Sequence, residues 1–347
     1  MSADAYVSAL TYYLPERVVT NEDLQRENPD WDMSRIAGKV GIQQRHIAGP
    51  NETSSDLAYS AGRRLLDGIG IDAQSIDAVI FCTQTPDYLL PTSACVLQHR
   101  LGVRQDAAAF DINQGCSGYV YGLALAKSMI AGGLASKVLF LTGETYSKLI
   151  HPRDRTVRVL FGDAGSATLI TAGNANDATL GARIGPAVLG SDGSGADNLI
   201  VRAGGARLAK SAQTSVEETD AIGCTRTPEH LFMDGQAITT FAIQRVPQLL
   251  DQLQSRAGLT SDAIRWYVFH QANSFMNERL RGRLKLPAER VPTYIENVGN
   301  TVVNTIPIVL REHGASFAKG DVAALVGFGV GYSWGATVLE WGPVQLA

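Results

Sequence analysis

Short apolar runs bounded by polar residues or glycine recur along the chain. The clearest are Ala78–Cys82 (AVIFC), 138–141 (VLFL), Trp266–Phe269 (WYVF) and 322–326 (VAALV). Runs of this length, rich in β-branched and aromatic residues, read as buried strands. Between them lie stretches with apolar residues at helical spacing, notably 92–101 and 117–131. In the second, Tyr119, Val120, Leu123, Met129 and Ile130 fall roughly on one face. Alternating strands and helices predict an α/β architecture with mostly parallel pairing.

The pattern also repeats. AVIFC is followed by Gly115-Cys116-Ser117, a helical stretch and the strand KVLFLTGE; WYVFH is followed at similar spacing by Gly299-Asn300-Thr301, a helical stretch and DVAALVGF. We read this as an internal duplication with halves at 1–172 and 178–347. It makes Cys116 and Asn300 equivalent positions at the starts of matching helices. Pro307 sits within the second helical pattern, so that helix should kink or begin later than its counterpart. The intervening 174–235 is rich in Gly, Ala, Ser and Asp. It reads equally as a surface excursion with one hairpin or as a cover over a site.

Composition narrows the class. The chain has 347 residues, which suggests two domains or one large fold. Hydrophobic residues make up 45% and charged ones 18%, which excludes a disordered chain and leaves apolar surface for a partner to bury. Thirty basic residues oppose 34 acidic ones, and the basic cluster Arg279, Arg281, Arg283 and Lys285 is interleaved as on a solvated helix face. No nucleic-acid partner is indicated. No run approaches a membrane span, and the N-terminal stretch lacks a basic region followed by a continuous apolar one. Cys82, Cys95, Cys116 and Cys224 show no paired or metal-type spacing, so a cytoplasmic protein with reduced thiols is expected.

Cys116 stands out among them. It lies in DINQGCSG, between a strand-like run and a helix. Partial positive charge at a helix N-terminus favours the nucleophilic thiolate; a buried unreactive cysteine is the plainer alternative. His270 follows WYVF, at a carboxyl-terminal strand end where open α/β sheets place ligands. Alone, it reads as a histidine closing a strand, and Asn300 in NVGNT reads alone as a helix cap. The duplication brings the three into relation, because equivalent helix starts could face one shared cleft. A Cys–His–Asn set then suits acyl transfer. Finally, GFGVGYSWGA (327–336) predicts a hairpin whose backbone closely approaches another segment. It is either a tight turn or the source of a Gly331 N–H that joins that of Cys116 as an oxyanion hole.

Taken together, DINQGCSG, HQAN, NVGNT and GFGVGYSWGA, in this order and spacing, resemble β-ketoacyl-acyl-carrier-protein synthase III of the thiolase superfamily. YLPERVVTNEDL, KVGIQQRHIA, FGDAGSA and GSDGSGA extend the resemblance over nearly the whole chain. It implies a thiolase-like, duplicated five-layered αβαβα fold, usually homodimeric. Cys116 would take an acyl group from a thioester of coenzyme A (CoA) or an acyl-carrier protein. His270 and Asn300 would hold the carbonyl of a malonyl thioester, typically malonyl-acyl-carrier protein, while CO2 leaves. No metal or redox cofactor is implied. Sister branches fit less well: Asn300 stands where elongating synthases carry a second histidine, and Gln84 where hydroxymethylglutaryl-CoA synthase needs a glutamate.

The resemblance also nominates substrate-binding positions. Trp31 is the candidate to stack on the CoA adenine, and Arg155 matches a nucleotide-contacting arginine. Lys39 stands where arginine is common, and Phe275 replaces a basic residue after HQAN, at Asn273. Leu90, near where short-primer enzymes carry phenylalanine, and Met233 are candidates for the acyl pocket. A primer longer than acetyl is therefore expected. Two other activities fit the same residues: transfer from Cys116 to an alcohol or amine without decarboxylation, and a non-catalytic subunit of a heterodimeric synthase.

Overall fold

In Ala78–Cys82 every residue is buried, and a strand buried on both faces needs a layer on each side. Its side chains alternate accordingly. Val79 and Phe81 pack with Leu65 and Leu97, whereas Ala78, Ile80 and Cys82 pack with Tyr119, Leu123 and Ile306. The same division runs through 322–326, where Ala323 and Leu325 join the second cluster and Ala324 and Val326 a third, with Leu249, Leu253 and Leu280. Three apolar clusters separated by the two arms of one continuous sheet make five layers, helix–sheet–helix–sheet–helix.

A computed structural model describes residues 3–174, 177 and 179–347. The nine strands that order the sheet are β1 (Asp4–Tyr13), β2 (Ala78–Cys82), β3 (Ala108–Ile112), β4 (Lys137–Glu144), β5 (Ala164–Gly173), β6 (Ala182–Ser191), β7 (Trp266–Phe269), β8 (Val322–Gly329) and β9 (Ser333–Glu340). Hydrogen bonding connects them as β7-β8-β9-β6-β1-β5-β4-β2-β3, with the arms joined through Tyr6↔Arg183 and Val7↔Ala182. Walking outward from that junction, both arms pair antiparallel, antiparallel, then parallel. The expectation of mostly parallel pairing is thus corrected. Parallel pairs occupy the outer positions, where helices provide the crossovers, while β8 and β9 are joined by a tight hairpin that forces them antiparallel. The proposed start of the second half, residue 178, lies outside the described residues.

Seven helices matter for the site: α1 (Met33–Val40), α2 (Ser54–Ile69), α3 (Ser93–Leu101), α4 (Gly118–Ala131), α5 (Gly235–Ala257), α6 (Ser274–Arg283) and α7 (Thr305–His313). Helices α4 and α7 fill the central layer, so α4 is apolar nearly all round. Gly122 lets α4 settle on the Phe140 ring, which also stacks on Tyr119 with centroids 5.5 Å apart. Helix α7 does begin late. A 3₁₀ turn (Val302–Asn304) precedes it, and Pro307 sits in its first turn, where the missing N–H leaves no helical bond unmade.

Part of the 174–235 segment is no surface excursion, since Ala182–Ser191 is β6 of the sheet; the rest carries two small antiparallel pairs rather than one hairpin, Leu199–Ile200 with Phe232–Met233 and Glu218–Thr219 with Thr225–Arg226. Its Leu231 N–H bonds to the Leu149 carbonyl at 2.7 Å, which ties the excursion to the rim of the site. Among the described residues, no helix is long and apolar enough to cross a membrane.

Truncating the central layer tests this packing. Phe140→Ala should cost about 3–5 kcal/mol of stability, read as a lowered unfolding midpoint in denaturant titration. A change under 1 kcal/mol would mean the α4–sheet contact is not tightly packed.

Candidate active site

Cys116 ends the loop between β3 and α4 and is only 6% exposed. The β8–β9 hairpin lies directly against it. A Cβ on Gly329 would stand 2.7 Å from the Cys116 Sγ, and one on Gly327 2.7 Å from its carbonyl oxygen. A side chain at either position would collide with the cysteine loop. A 2.7 Å hydrogen bond between the Ser117 and Ser333 hydroxyls fixes the approach.

Burial pushes the Cys116 thiol up to about 12, with the Val330 and Cys116 backbone N–H groups acting in the opposite direction. Of the two readings of Cys116, burial favours the neutral thiol, because desolvation outweighs the local dipoles. The oxyanion-hole expectation changes. It is the Val330 N–H, not that of Gly331, that reaches the sulfur. Gly331 instead takes φ 135°, a turn conformation suited to glycine, which carries the chain into β9.

His270 caps β7 and is 2% exposed. Its N–H continues the β7–β8 ladder to the Val326 carbonyl at 2.8 Å. The ring meets Phe328 edge-on at 5.7 Å, and Phe328 neighbours the Gly329 that abuts Cys116. Nδ1 lies 2.7 Å from the Thr305 hydroxyl. Burial drives the imidazole down to about 3, so it is neutral across the physiological range.

Asn300 is buried too and lies one residue before Thr301, the cap position of the 3₁₀ turn Val302–Asn304. Its backbone N–H bonds to the Leu160 carbonyl at 2.8 Å, and its own carbonyl accepts the Gly162 N–H at 3.0 Å. Its side-chain Oδ1 accepts the Val302 N–H at 2.9 Å, while Nδ2 reaches the Ala272 carbonyl at 3.3 Å. Preceding it, Gly299 has φ 71°, and a Cβ there would stand 2.8 Å from the Leu160 carbonyl oxygen. Arg45, from the KVGIQQRHIA stretch, supports the same loop from below. It is 1% exposed, and its guanidinium holds the Val19 and Val159 carbonyls and the Asn21 side chain.

A second buried polar group lies beside this set. Glu144, at the end of β4, accepts the Gln84 N–H at 3.0 Å and the Thr85 hydroxyl at 2.9 Å, and burial raises its carboxyl to about 8. The Gln84 side chain accepts the Tyr146 hydroxyl at 2.6 Å and lies against Gly115. Gln84 presents an amide, which cannot serve as a general acid. A lone carboxylate ending an apolar strand was the one sequence signal for Glu144. Val330 and Phe328 gave no signal, since one acts through its backbone and the other reads as core.

A cleft of about 1000 Å³ opens next to this cluster, lined in part by Lys39, Arg155, Met233, Asn273 and Phe275. The buried three do not line it, but two of its residues connect to them. Leu160 accepts the Asn300 N–H, and Asn273 lies three residues beyond His270. Asn273 caps α6 through the Met276 N–H at 2.8 Å. Phe275 is 40% exposed and carries Lys39 at 5.6 Å and Arg279 at 5.2 Å from its ring centroid. Arg35 also lines the cleft.

Two nominated residues lie elsewhere. Trp31 is 3% exposed and packs in the apolar cluster with Leu24, Met33 and Ile42. It is therefore absent from the cleft wall, because an indole here completes the core beneath α1. Leu90 is 82% exposed and does not line this chain's cleft.

Five layers with a cysteine on one arm and a histidine and asparagine on the other define a thiolase-fold condensing enzyme. The family model for 3-oxoacyl-[acyl-carrier-protein] synthase III matches residues 110–193, and its C-terminal counterpart matches 254–341. A β-ketoacyl-[acyl-carrier-protein] synthase III of Caldanaerobacter subterraneus subsp. tengcongensis is 36% identical over 95% of this chain and 95% of its own. A synthase III of Streptomyces coelicolor is 36% identical over 99% of both. A 3-oxoacyl-(acyl-carrier-protein) synthase III crystal structure superposes with TM-score 0.94 at 47% identity, covering 97% of this chain and 100% of that one. The chain belongs to the β-ketoacyl-acyl-carrier-protein synthase III family.

The raised thiol makes a direct prediction. Because the thiol form predominates at neutral pH, alkylation of Cys116 by iodoacetamide should accelerate about tenfold per pH unit from about pH 7 to 9. A rate that levels off below about pH 8 would show that the thiolate is stabilised far more than burial allows.

Proposed function

We propose that the chain catalyses a decarboxylating Claisen condensation between an acyl thioester and a malonyl thioester. The observation that carries this reading is the placement of buried Cys116 and His270 against the same β8 segment, Phe328–Gly329, with His270 tied through Thr305 to the turn that carries buried Asn300. In the first half-reaction Cys116 Sγ attacks the acyl carbonyl carbon. The donor's C–S bond breaks, and the cysteine proton leaves with the donor thiol. Negative charge on the carbonyl oxygen is met by the N–H groups of Cys116 and Val330, each contributing a few kcal/mol.

In the second, the malonyl thioester oxygen accepts hydrogen bonds from His270 Nε2 and Asn300 Nδ2. The bond to the carboxylate breaks, CO2 departs, and the electron pair forms an enolate held by those two donors. Its carbon attacks the acyl carbonyl and the C–S bond to Cys116 breaks, giving a β-ketoacyl thioester and a Cys116 thiolate that takes one proton from solvent to return to the thiol. A neutral imidazole suits this work, since it donates a hydrogen bond without surrendering a proton.

Arg35, Lys39, Arg155 and Arg279 around the cleft support a phosphorylated thioester donor, CoA or a carrier protein. The matching pairing order of the two arms supports a duplicated origin for the halves. We also assign the protein to the cytoplasm, in keeping with its four free cysteines, and to a homodimer. Tyr88 at 59%, Leu89 at 94% and Leu90 at 82% exposure support that assignment, as does the half-open edge strand β3. Leu90 would then reach the partner's acyl pocket.

Intact mass spectrometry with acyl thioesters of several chain lengths tests the chemistry. An acyl adduct should form on wild type and vanish in Cys116→Ala, whereas His270→Ala and Asn300→Ala should retain it and lose CO2 release by about 100-fold or more. Equal loss of both steps would refute the division of roles, and thioester consumption without CO2 would point to an alcohol or amine acceptor. For the assembly, Leu89→Asp with Leu90→Asp should convert a dimer to a monomer in light scattering. An unchanged mass would place the interface elsewhere.

A further inference from the structure

The enolate role given to His270 requires a proton on Nε2, yet a neutral imidazole carries its single proton on either nitrogen. What selects one is the partner of the other. At Nδ1 the side-chain partner is Thr305, 3% exposed, with its hydroxyl oxygen 2.7 Å away, and the Val302 carbonyl also faces the ring as an acceptor. We propose that the Thr305 hydroxyl donates to His270 Nδ1 and so holds the ring in its Nε2–H form, which makes Thr305 a positioning residue for decarboxylation. The proposal rests on the reading of His270 given above.

Two proton arrangements satisfy the observed distances. The Thr305 hydroxyl also lies 3.1 Å from the Val302 carbonyl. If it donates there, Nδ1 must carry the ring proton, and Nε2 presents a lone pair to the substrate oxygen. Two lone pairs would then face each other where an enolate has to form. In the other arrangement the hydroxyl gives its one proton to Nδ1 and strands nothing, because the Val302 carbonyl already accepts the Thr305 backbone N–H. Burial keeps the ring neutral, so an imidazolium donating from both nitrogens is not a third option.

The short segment 300–305 serves both donors at once. Val302 adopts φ 56°, which β-branched residues rarely do. Its N–H holds the Asn300 Oδ1 at 2.9 Å, and its carbonyl anchors Thr305. The late start of α7 thus places a hydroxyl beneath His270 and sets the Asn300 amide from the same turn.

The experiment is long-range ¹H–¹⁵N correlation on enzyme labelled in histidine, with His270 assigned by its loss in His270→Ala. Wild type should show a neutral ring protonated at Nε2. Thr305→Val, which removes the hydroxyl at nearly constant volume, should move the proton toward Nδ1. It should also lower malonyl thioester decarboxylation about tenfold or more, with Cys116 acylation unchanged by mass spectrometry. Thr305→Ser should restore both spectrum and rate. A wild-type ring protonated at Nδ1 overturns the proposal, whether or not Thr305→Val folds. Decarboxylation lost in His270→Ala but intact in Thr305→Val overturns Thr305 alone; decarboxylation intact in both overturns the reading of His270 as well.

Discussion

Everything at this site depends on backbone approaching backbone more closely than side chains permit. Cys116 is pressed by a hairpin with no Cβ at Gly327 or Gly329, and Asn300 is turned inward by a left-handed Gly299 against the Leu160 carbonyl. These contacts put N–H groups, which carry fixed dipoles and lose no rotamer entropy, where the proposed reaction develops charge. Larger residues would separate the segments by more than a hydrogen bond can span. The glycine content of the chain is therefore spent at particular places, where two arms of the fold have to meet.

The layers explain why those arms meet where they do. Helices α4 and α7 share the central layer, and the loops entering them carry Cys116 and Asn300. The strand end of β7 supplies His270 from the second arm, one ladder position from β8, whose hairpin covers the cysteine. The proposed nucleophile and hydrogen-bond donors thus sit on different arms, and their spacing is set by the packing of two buried helices. Rigid elements hold a catalytic geometry better than surface loops do.

Much of this was legible in the residues. The strands at 78–82 and 266–269 fall where apolar run length places them, and helices 93–101 and 118–131 begin one residue inside the expected bounds. Cys116 stood out by its place before a helix, whereas His270 and Asn300 each read alone as structural and were joined to it by the internal duplication and the family resemblance. Three things were not legible. Strand direction depended on tertiary pairing, so the mixed sheet was misread as mostly parallel. Val330 meets the Cys116 sulfur through a backbone N–H, which its residue type does not advertise. Trp31 was nominated by resemblance, but burial of a large aromatic depends on what packs above it. The thiol state stayed open for a related reason: a helix N-terminus is visible in sequence, whereas the depth of burial that overrides it is not.

The neutrality of His270 has a consequence for the malonyl group itself. The cations line the cleft, where a phosphorylated arm would lie, while the buried histidine stays uncharged. A malonyl carboxylate carried past that rim sheds its water and finds no counterion at the histidine. Departure as CO2, a neutral molecule, would relieve that unfavourable solvation at the same moment that the enolate oxygen gains the two donors proposed for it. An imidazolium in the same place would have welcomed the carboxylate and slowed its loss.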